Sequence, residues 1–226
     1  EKPNITITAA NGKTIKSVKI TYTVDKTGIL TKNNMSVSCI YNGDELCVLD
    51  DAPLDEKTAS VLQLALGCSM LENDSTETAI ENACKKYFSM SKTDISNILP
   101  RLSSIPFDSA RKTMTSINMI GGKPVAIVKG APESLLEKCN LPNKTEVLET
   151  YKKLTQEAYR VICIAIKKLD EIPSSPDPDL IEQDLTLVGL LGLYDPPQSD
   201  TVEAINTCGM AGIKTIMLTG DNAKTA

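Results

Sequence analysis

Two apolar segments near opposite ends of the chain each lead into an aspartate. Residues 18–24, VKITYTV, come directly before Asp25, and residues 213–218, IKTIML, are followed by Thr219, Gly220 and Asp221. Both are rich in β-branched residues, which predicts strands. Open α/β sheets place their ligands beyond the carboxyl ends of parallel strands. We therefore expect both ends of the chain to share one sheet, with residues from about 38 to 184 inserted between them.

The segment from residue 185 onward has the order of a parallel, doubly wound unit. It contains an apolar strand at 185–193, a helix at 199–210 and a strand at 213–218. Strand, turn, helix and strand in that order are typical of a β-turn-α-β unit. The first and last parts of the chain are thus predicted to form one α/β domain around an insertion. The predicted segments are 1–37, 38–184 and 185–226.

The predicted insertion mixes hairpin and helix patterns. Asn42-Gly43 is a strong hairpin turn, as is Asn11-Gly12 in the first segment. Asp74 with Glu77 three residues later imitates a capping box at the start of a helix. These features predict an α+β insertion. Its predicted helices are 56–66, 76–88, a helix opening at Pro132, and 146–159, and its predicted strands include 103–107, 113–120, 124–128 and 161–166.

Composition excludes several kinds of site. The chain has no histidine, which rules out a Ser-His-Asp triad, a histidine general base and a histidine-ligated zinc. Its seven cysteines form no C-x-x-C pair, so we expect reduced, mostly buried thiols. A net charge of −5 with scattered basic residues argues against nucleic acid as a partner. No run of about 18 apolar residues is present, so no membrane span is predicted.

The tetrapeptide Asp25-Lys26-Thr27-Gly28 suggests phosphoryl chemistry. A carboxylate at a strand end, followed by a turn that points backbone N–H groups inward, can attack a phosphoryl group and hold the acyl phosphate. The alternative is that Asp25 only caps its strand. The longer stretch DKTGILT, residues 25–31, resembles the DKTGTLT phosphorylation motif of P-type ATPases, the ion pumps that pass through an aspartyl-phosphate.

Other segments resemble motifs of the same family, in the family's order. Six such motifs in sequence make chance agreement negligible. They are STETAIE at 75–81, FDSARKTM at 107–114, VKGAPE at 128–133, YRVICIAI at 159–166, DPPQSDTVEAI at 195–205, which opens with the hinge residue Asp195, and AGIKTIMLTGDN at 211–222.

The resemblance implies a fold and a phosphorylation site. The implied fold is an antiparallel-sheet nucleotide-binding domain with flanking helices, inserted into a partial haloacid-dehalogenase-like, Rossmann-type phosphorylation domain. Asp25 is the implied catalytic nucleophile, with Lys26 and Thr27 beside the phosphate. ATP and Mg²⁺ are the implied cofactors, and Asp25 and Thr27 are the implied metal ligands. The family's remaining metal ligands do not occur in these 226 residues.

The resemblance also implies a nucleotide site. A phenylalanine in a cleft offers a stacking face worth about 1–3 kcal/mol per base, and lysine and arginine can focus positive potential on a triphosphate. Taken singly, Phe107 could equally be a core residue, Lys112 a solvated strand residue and Arg160 a surface ion pair. The implied contacts are Glu77 near the adenine amino group, Phe107 on the base, Lys112 beside it, Lys129 and Gly130 in the lysine motif, Arg160 at the phosphates, and Thr219, Gly220 and Asp221 in a second phosphate loop.

Three positions depart from the family pattern. Ile29 stands where the family has threonine, and Ser109 and Gln198 stand where many relatives have arginine. Loss of two cations predicts weaker ATP binding. The family's later lysine and its GDGxND motif do not occur in these 226 residues. We therefore expect this chain to bind nucleotide far better than it turns it over.

The leading hypothesis is the cytoplasmic ATP-binding part of a cation-transporting P-type ATPase. FDSARK with KGAPE favours the calcium, sodium-potassium or proton branch, and we favour calcium. The implied partners are the transmembrane and actuator domains of the same protein, at the cytoplasmic face of a membrane, with this part itself soluble. One alternative is a haloacid-dehalogenase-type phosphatase, whose second aspartate is replaced here by Thr27. The other is a non-catalytic nucleotide-binding module.

Overall fold

The computed structural model describes residues 19–70 and 74–219, and the described residues divide into two compact units. The smaller unit comprises 19–32 and 197–219, and the larger comprises 33–70 and 74–196. The predicted hairpin at Asn11-Gly12 lies outside the described residues. No helix within the described ranges is long and apolar enough to cross a bilayer.

The described residues form ten strands and seven α-helices. The strands are β1 (Ile20–Asp25), β2 (Ser36–Tyr41), β3 (Leu46–Val48), β4 (Arg101–Asp108), β5 (Thr113–Ile120), β6 (Lys123–Gly130), β7 (Cys139–Asn140), β8 (Arg160–Lys168), β9 (Leu185–Tyr194) and β10 (Ile213–Leu218). The helices are α1 (Glu56–Gly67), α2 (Ser75–Phe88), α3 (Lys92–Ile98), α4 (Pro132–Leu135), α5 (Lys144–Gln156), α6 (Pro178–Ile181) and α7 (Thr201–Met210), and single helical turns span Lys26–Leu30 and Leu136–Lys138.

The smaller unit contains a parallel pair of strands. β1 pairs with β10 from Ile20 opposite Ile213 to Asp25 opposite Leu218. The prediction that the two ends of the chain share a parallel sheet is therefore confirmed. Few side chains are buried here: Val24 and Thr31 are, whereas α7 has no buried residue.

The larger unit contains an eight-stranded, mainly antiparallel sheet. The strand order is β3-β2-β9-β8-β6-β5-β4, and each neighbouring pair is antiparallel. β7 adds a short parallel pairing with β9. The predicted hairpin at Asn42-Gly43 is confirmed, because β2 and β3 pair across it and Gly43 has a φ of +97°.

The placement predicted for β9 is wrong. Residues 185–193 were expected in a parallel unit with β10, but β9 lies in the larger sheet between β2 and β8. The physical reason is that its apolar run is buried on both faces between two antiparallel neighbours, β2 and β8. Leu191 and Leu193 pack into one core cluster, and Leu185 and Leu190 pack into another. A central antiparallel strand covered on both faces shows the same continuous hydrophobicity as a buried parallel strand.

Helices cover both faces of the larger sheet. On one face α1, α2 and α3 contribute Leu62, Ile80 and Ile95 to the core. On the other face α4 and α5 contribute Leu135 and Leu154. The fold is thus mixed α/β, with a mainly antiparallel sheet between helical layers.

Side-chain caps explain where the first helices begin. Asp55 accepts hydrogen bonds from the N–H groups of Lys57 and Thr58, which starts α1. Ser91 and Asp94 form a reciprocal capping box at the start of α3. Helix α3 was not predicted, because a seven-residue segment with a single buried side chain, Ile95, has little apolar periodicity.

Candidate functional site

A cavity of about 560 Å³ opens in the larger unit. Its wall is formed by the start of α2, the turn between β4 and β5, the end of β6, the start of β8, and residues of α4 and α5. Six residues predicted for the nucleotide site line this one cavity, although they come from four separate motifs. They are Glu77, Phe107, Lys112, Lys129, Gly130 and Arg160.

A buried ion pair forms one part of the cavity wall. The Lys129 ammonium donates to both carboxylate oxygens of Glu77, with N···O distances of 2.6 and 2.8 Å. It also donates to Ser69 Oγ at 3.1 Å and to the carbonyl of Ala65 at 3.3 Å. The Lys129 and Glu77 side chains are only 4% and 9% exposed. The positive potential expected from Lys129 is therefore offset locally by Glu77.

The position of Glu77 follows from the cap of α2. Asp74 Oδ1 accepts from the N–H groups of Thr76 and Glu77 at 2.9 and 3.1 Å, as predicted for an N-cap. The Glu77 carboxylate does not complete a capping box. It turns instead to Lys129, in the central strand β6, because a buried ammonium needs an acceptor.

Phe107 lies near the end of β4, and Lys112 lies in the turn between β4 and β5. The Phe107 ring is 47% exposed, so part of its surface is open. Lys112 has a left-handed backbone with a φ of +56°, and its carbonyl accepts the Ala131 N–H at 3.0 Å. A Cβ on Gly130 would lie 2.5 Å from that carbonyl oxygen. Only glycine at position 130 leaves room for this close approach of the two segments.

A second, more exposed pair lies beside the same turn. Lys112 Nζ donates to Glu133 Oε1 at 3.2 Å, and the Tyr151 hydroxyl donates to Glu133 Oε2 at 3.3 Å. Burial acts to raise the pKa of Glu133, but hydrogen bonds from its own N–H, Lys112 and Tyr151 lower it overall. Burial and the Glu133 charge raise the pKa of Tyr151 to about 12. The tyrosine therefore stays a hydrogen-bond donor at neutral pH.

Arg160 begins β8 and also lines the cavity. Its guanidinium donates to Oγ1 of Thr76, in the first turn of α2, at 3.4 Å. A guanidinium has five N–H donors in a planar fork, a geometry that matches carboxylate and phosphate oxygens.

The predicted phosphorylation motif lies in the smaller unit. Asp25 is the exposed last residue of β1, and the helical turn Lys26–Leu30 follows it. The Gly28 N–H donates to Thr31 Oγ1 at 3.3 Å, and Gly28 has a φ of +80°, which suits glycine. Thr219 directly follows β10, so it too lies at the carboxyl end of a parallel strand.

The end of β1 supplies an oxygen ligand of the kind that Mg²⁺ binds. Asp25 offers a carboxylate, which is a ligand type that Mg²⁺ takes together with phosphate oxygens and water. The side chain of Thr27, and Gly220 and Asp221, lie outside the described residues. A second group of possible metal ligands within the described ranges consists of Glu45, Cys47 and Asp55, whose ligand atoms lie within 4.8 Å of one another. The Asp55 carboxylate, however, already accepts the hydrogen bonds that cap α1.

The departures from the family pattern have different structural settings. Gln198 links two parts of the smaller unit, since its N–H donates to the Leu30 carbonyl at 2.9 Å and its amide donates to the Thr31 carbonyl at 3.3 Å. Ile29 is exposed, as a threonine would be. Asp195, predicted as a hinge residue, accepts the Asn34 N–H at 3.0 Å.

Sequence reasoning missed part of the cavity wall. Glu133 lies within the VKGAPE segment, so the motif itself could have indicated it. Tyr151 lies on the predicted helix 146–159, and no local signal in the sequence separates a core position from a place in the cavity wall. Other residues that line the cavity without having been predicted are Asp74, Thr76, Met114, Ala131, Pro132, Thr155, Val161 and Ile162.

Comparison with known proteins identifies a family that this chain matches. A family model described as "P-type ATPase, cytoplasmic domain N" matches residues 67–200. The chain is 32% identical to calcium-transporting ATPase 1 of Bacillus cereus, over 89% of this chain and 25% of that protein. It is 32% identical to the calcium-transporting ATPase of Bacillus subtilis, over 89% of this chain and 27% of that protein. A probable cation-transporting P-type ATPase of Mycoplasma genitalium is 34% identical, over 95% of this chain and 24% of that protein. The chain thus spans about a quarter of the length of these relatives.

Proposed function

The chain belongs to the P-type ATPase family, and from this premise we propose that its larger unit binds ATP in the cavity that contains Glu77, Phe107 and Lys129. The observation that carries the proposal is the meeting of four separate motifs at one cavity. Its volume of about 560 Å³ falls within the range of small-molecule sites, roughly 300–1,000 Å³.

The chemistry of the wall suits an adenine base. The half-exposed ring of Phe107 can stack on the base. A carboxylate has about four lone-pair sites, so Glu77 can accept from the adenine amino group while it keeps both bonds to Lys129. Lys129 holds the Glu77 side chain in place through these two hydrogen bonds. We therefore assign the Glu77 and Lys129 pair to base recognition and Gly130 to the close packing beside it.

The remaining cations suit the phosphates. Lys112 is about half exposed, and its partner Glu133 is exposed as well, so this lysine can exchange partners at little cost. Arg160 provides a planar fork of donors, which matches phosphate oxygens. We assign Lys112 to the region where the base and phosphates meet, and Arg160 to the phosphates.

In the parent protein we propose that Asp25 accepts the γ-phosphoryl group. One carboxylate oxygen of Asp25 forms the new P–O bond, the bond from the γ-phosphorus to the β,γ-bridging oxygen breaks, and ADP leaves. Lys26, Thr27, Thr219, Gly220 and Asp221 are proposed to surround the phosphoryl group. Mg²⁺, held by Asp25 and Thr27 among other ligands, would neutralise charge on the phosphates when bound.

The smaller unit is proposed to be part of a haloacid-dehalogenase-like phosphorylation domain. The parallel pairing of β1 and β10, with Asp25 at its carboxyl end, supports this assignment. We propose that the smaller unit belongs to this domain and that the larger unit is the nucleotide-binding domain, so the boundaries lie near residues 32 and 197 instead of the predicted 37 and 185. The parent would be a multi-pass pump with transmembrane and actuator domains, its nucleotide site at the cytoplasmic face. Calcium is the proposed ion, since two of the relatives are named calcium-transporting ATPases.

Isothermal titration with ATP tests nucleotide binding. We expect saturable one-to-one binding, which Phe107→Ala weakens by about 5- to 100-fold, the range that a stacked base provides. Lys112→Ala should weaken binding, whereas Lys123→Ala, at the exposed first residue of β6, should not. Absence of saturable binding, or equal affinity in Lys112→Ala and Lys123→Ala, would argue against the site.

Phosphorylation is tested separately in the full-length parent. Label from γ-³²P-ATP should be acid-stable, labile to hydroxylamine and absent in Asp25→Asn. The phosphatase alternative predicts rapid release of phosphate without accumulation of label. The present chain alone is expected to bind ATP with little turnover, as a nucleotide-binding module would.

A further inference from the structure

Glu182 is a buried carboxylate that lies outside the cavity. It follows α6, and its side chain is 0% exposed. Thr115 Oγ1 and Thr113 Oγ1 donate to it at 2.8 and 3.0 Å, and Lys138 Nζ donates at 3.2 Å. Arg111 Nη1 also donates to it. Two cations and two hydroxyl groups, from segments distant in sequence, therefore converge on one carboxylate.

Arg111 connects this carboxylate to the end of β4, which contains Phe107. Its Nη2 donates to the carbonyl of Pro106 at 2.9 Å, and its Nη1 donates to Thr113 Oγ1 at 3.0 Å. The guanidinium thus spans from one strand of the hairpin to the other, with Phe107 directly after Pro106. Glu182 fixes the guanidinium at its inner end.

The backbone around Phe107 needs this support. The pairing of β4 with β5 shifts register between Ile105 and Asp108, so Pro106 and Phe107 lie in a bulge without ladder partners. Pro106 has no N–H, and its carbonyl is engaged by Arg111. Since about half of the Phe107 ring is exposed, packing alone does not fix its direction.

We propose that Glu182 is a positioning residue of the nucleotide site. It holds Arg111, and Arg111 holds the bulge so that the Phe107 ring presents its face to the base. Glu182 itself touches no ligand. This role in binding rests on the proposed function, whereas its effect on the orientation of Phe107 is a property of the free protein.

The free protein provides the first test, because the chain has only two phenylalanines, Phe88 and Phe107. Incorporation of para-fluorophenylalanine gives two fluorine NMR signals, and Phe107→Ala assigns them. Glu182→Gln should shift or broaden the Phe107 signal and leave that of Phe88, at the end of α2, unchanged. An unchanged Phe107 signal in folded Glu182→Gln overturns the proposal, with or without ATP.

A double-mutant cycle provides the second test. Glu182→Gln should weaken ATP binding about tenfold in the presence of Phe107 and less than about twofold in the Phe107→Ala background. An equal factor in both backgrounds overturns the positioning role. If the wild type binds no ATP, the proposed function fails, and the fluorine signals still decide what Glu182 does.

A milder variant covers the case in which Glu182→Gln does not fold. Thr115→Val removes one donor to Glu182, and Thr115 does not line the cavity. It should perturb the Phe107 signal in the same direction by a smaller amount, and weaken ATP binding about two- to threefold. A folded Thr115→Val protein with both quantities unchanged contradicts the proposal.

Discussion

The two lysine–glutamate pairs of the cavity differ in burial, and this difference separates their roles. Glu77 and Lys129 are less than one-tenth exposed, and their atoms lie 2.6 and 2.8 Å apart. Lys112 and Glu133 are 53% and 40% exposed, and they lie 3.2 Å apart. A buried pair is costly to break, because each partner left alone is an uncompensated charge, whereas an exposed pair exchanges readily with water. Both lysines belong to motifs predicted for the nucleotide site, but Lys129 is buried against Glu77, whereas about half of Lys112 is exposed to solvent.

The largest expected effect is on folding stability. Glu77→Ala leaves the Lys129 ammonium buried with only Ser69 Oγ and the Ala65 carbonyl as partners. We expect a loss of about 3–5 kcal/mol in the free energy of unfolding, measured by urea denaturation. The matched variant Glu133→Ala removes an exposed partner and should change stability far less. Equal losses in the two variants would remove the distinction between the pairs.

Removal of both charges should restore most of that stability. In the double variant Glu77→Leu with Lys129→Met no buried charge is left unpaired, so we expect its stability within about 1 kcal/mol of the wild type. The same urea measurement applies. ATP affinity should stay low, because the acceptor for the adenine amino group is gone. A double variant as unstable as Glu77→Ala would show that the destabilisation does not come from the unpaired ammonium.

Gly130 lies next to Lys129 and packs against Lys112. Gly130→Ala places a Cβ 2.5 Å from the Lys112 carbonyl, so the turn must move. We expect a loss of about 1–3 kcal/mol in thermal denaturation. The control Gly209→Ala is helical, with nothing within 4 Å of the added Cβ, and should be neutral or slightly stabilising. A Gly130→Ala protein as stable as this control would contradict the close packing of the two segments.

The exposed pair should affect ligand affinity rather than stability. Glu133→Gln removes a negative charge beside Lys112, so ATP should bind about two- to threefold more tightly. Adenosine, which has no phosphates, should bind equally to both proteins. Glu149→Gln, an exposed change on α5, controls for net charge. If Glu149→Gln tightens binding as much, the effect is one of overall charge.

The smallest expected effect is on titration. The Glu133 charge helps to raise the pKa of Tyr151 to about 12, second to burial. In Glu133→Gln this pKa should fall but stay above its ordinary value, as measured by NMR titration. The pKa of Glu133 itself is lowered in the folded protein. The stability that it contributes is therefore present above its unfolded pKa and lost as the pH falls through its folded pKa. An unchanged Tyr151 pKa in Glu133→Gln would contradict their contact.

Local patterns predicted most elements but not every partner. Strand β5 contains four β-branched residues, and α2 begins at the Asp74 cap. Both signals act within a residue or between residues close in sequence. The placement of β9 failed because a continuous apolar run reports burial on two faces and says nothing about the direction of its neighbours. Secondary structure was thus more predictable than strand pairing.

In the candidate site, likewise, local patterns predicted individual residues but not the partners that they contact. Motif residues such as Phe107 and Arg160 could be predicted, and they line one cavity. The pairing of Glu77 with Lys129 joins residues 52 positions apart, and that of Glu182 with Arg111 joins residues 71 apart. Such partners are selected by the tertiary fold, because a buried charge binds whichever counter-charge packing brings close.

The central claim is that adenine stacks on Phe107 beside Glu77. Intermolecular nuclear Overhauser effects between ATP and this chain test it most directly. The account predicts contacts from the adenine ring protons to the Phe107 ring that saturate with ATP and are lost in Glu77→Ala or weakened in proportion to its affinity. Saturable ATP binding with adenine contacts elsewhere, and none to Phe107, would contradict it.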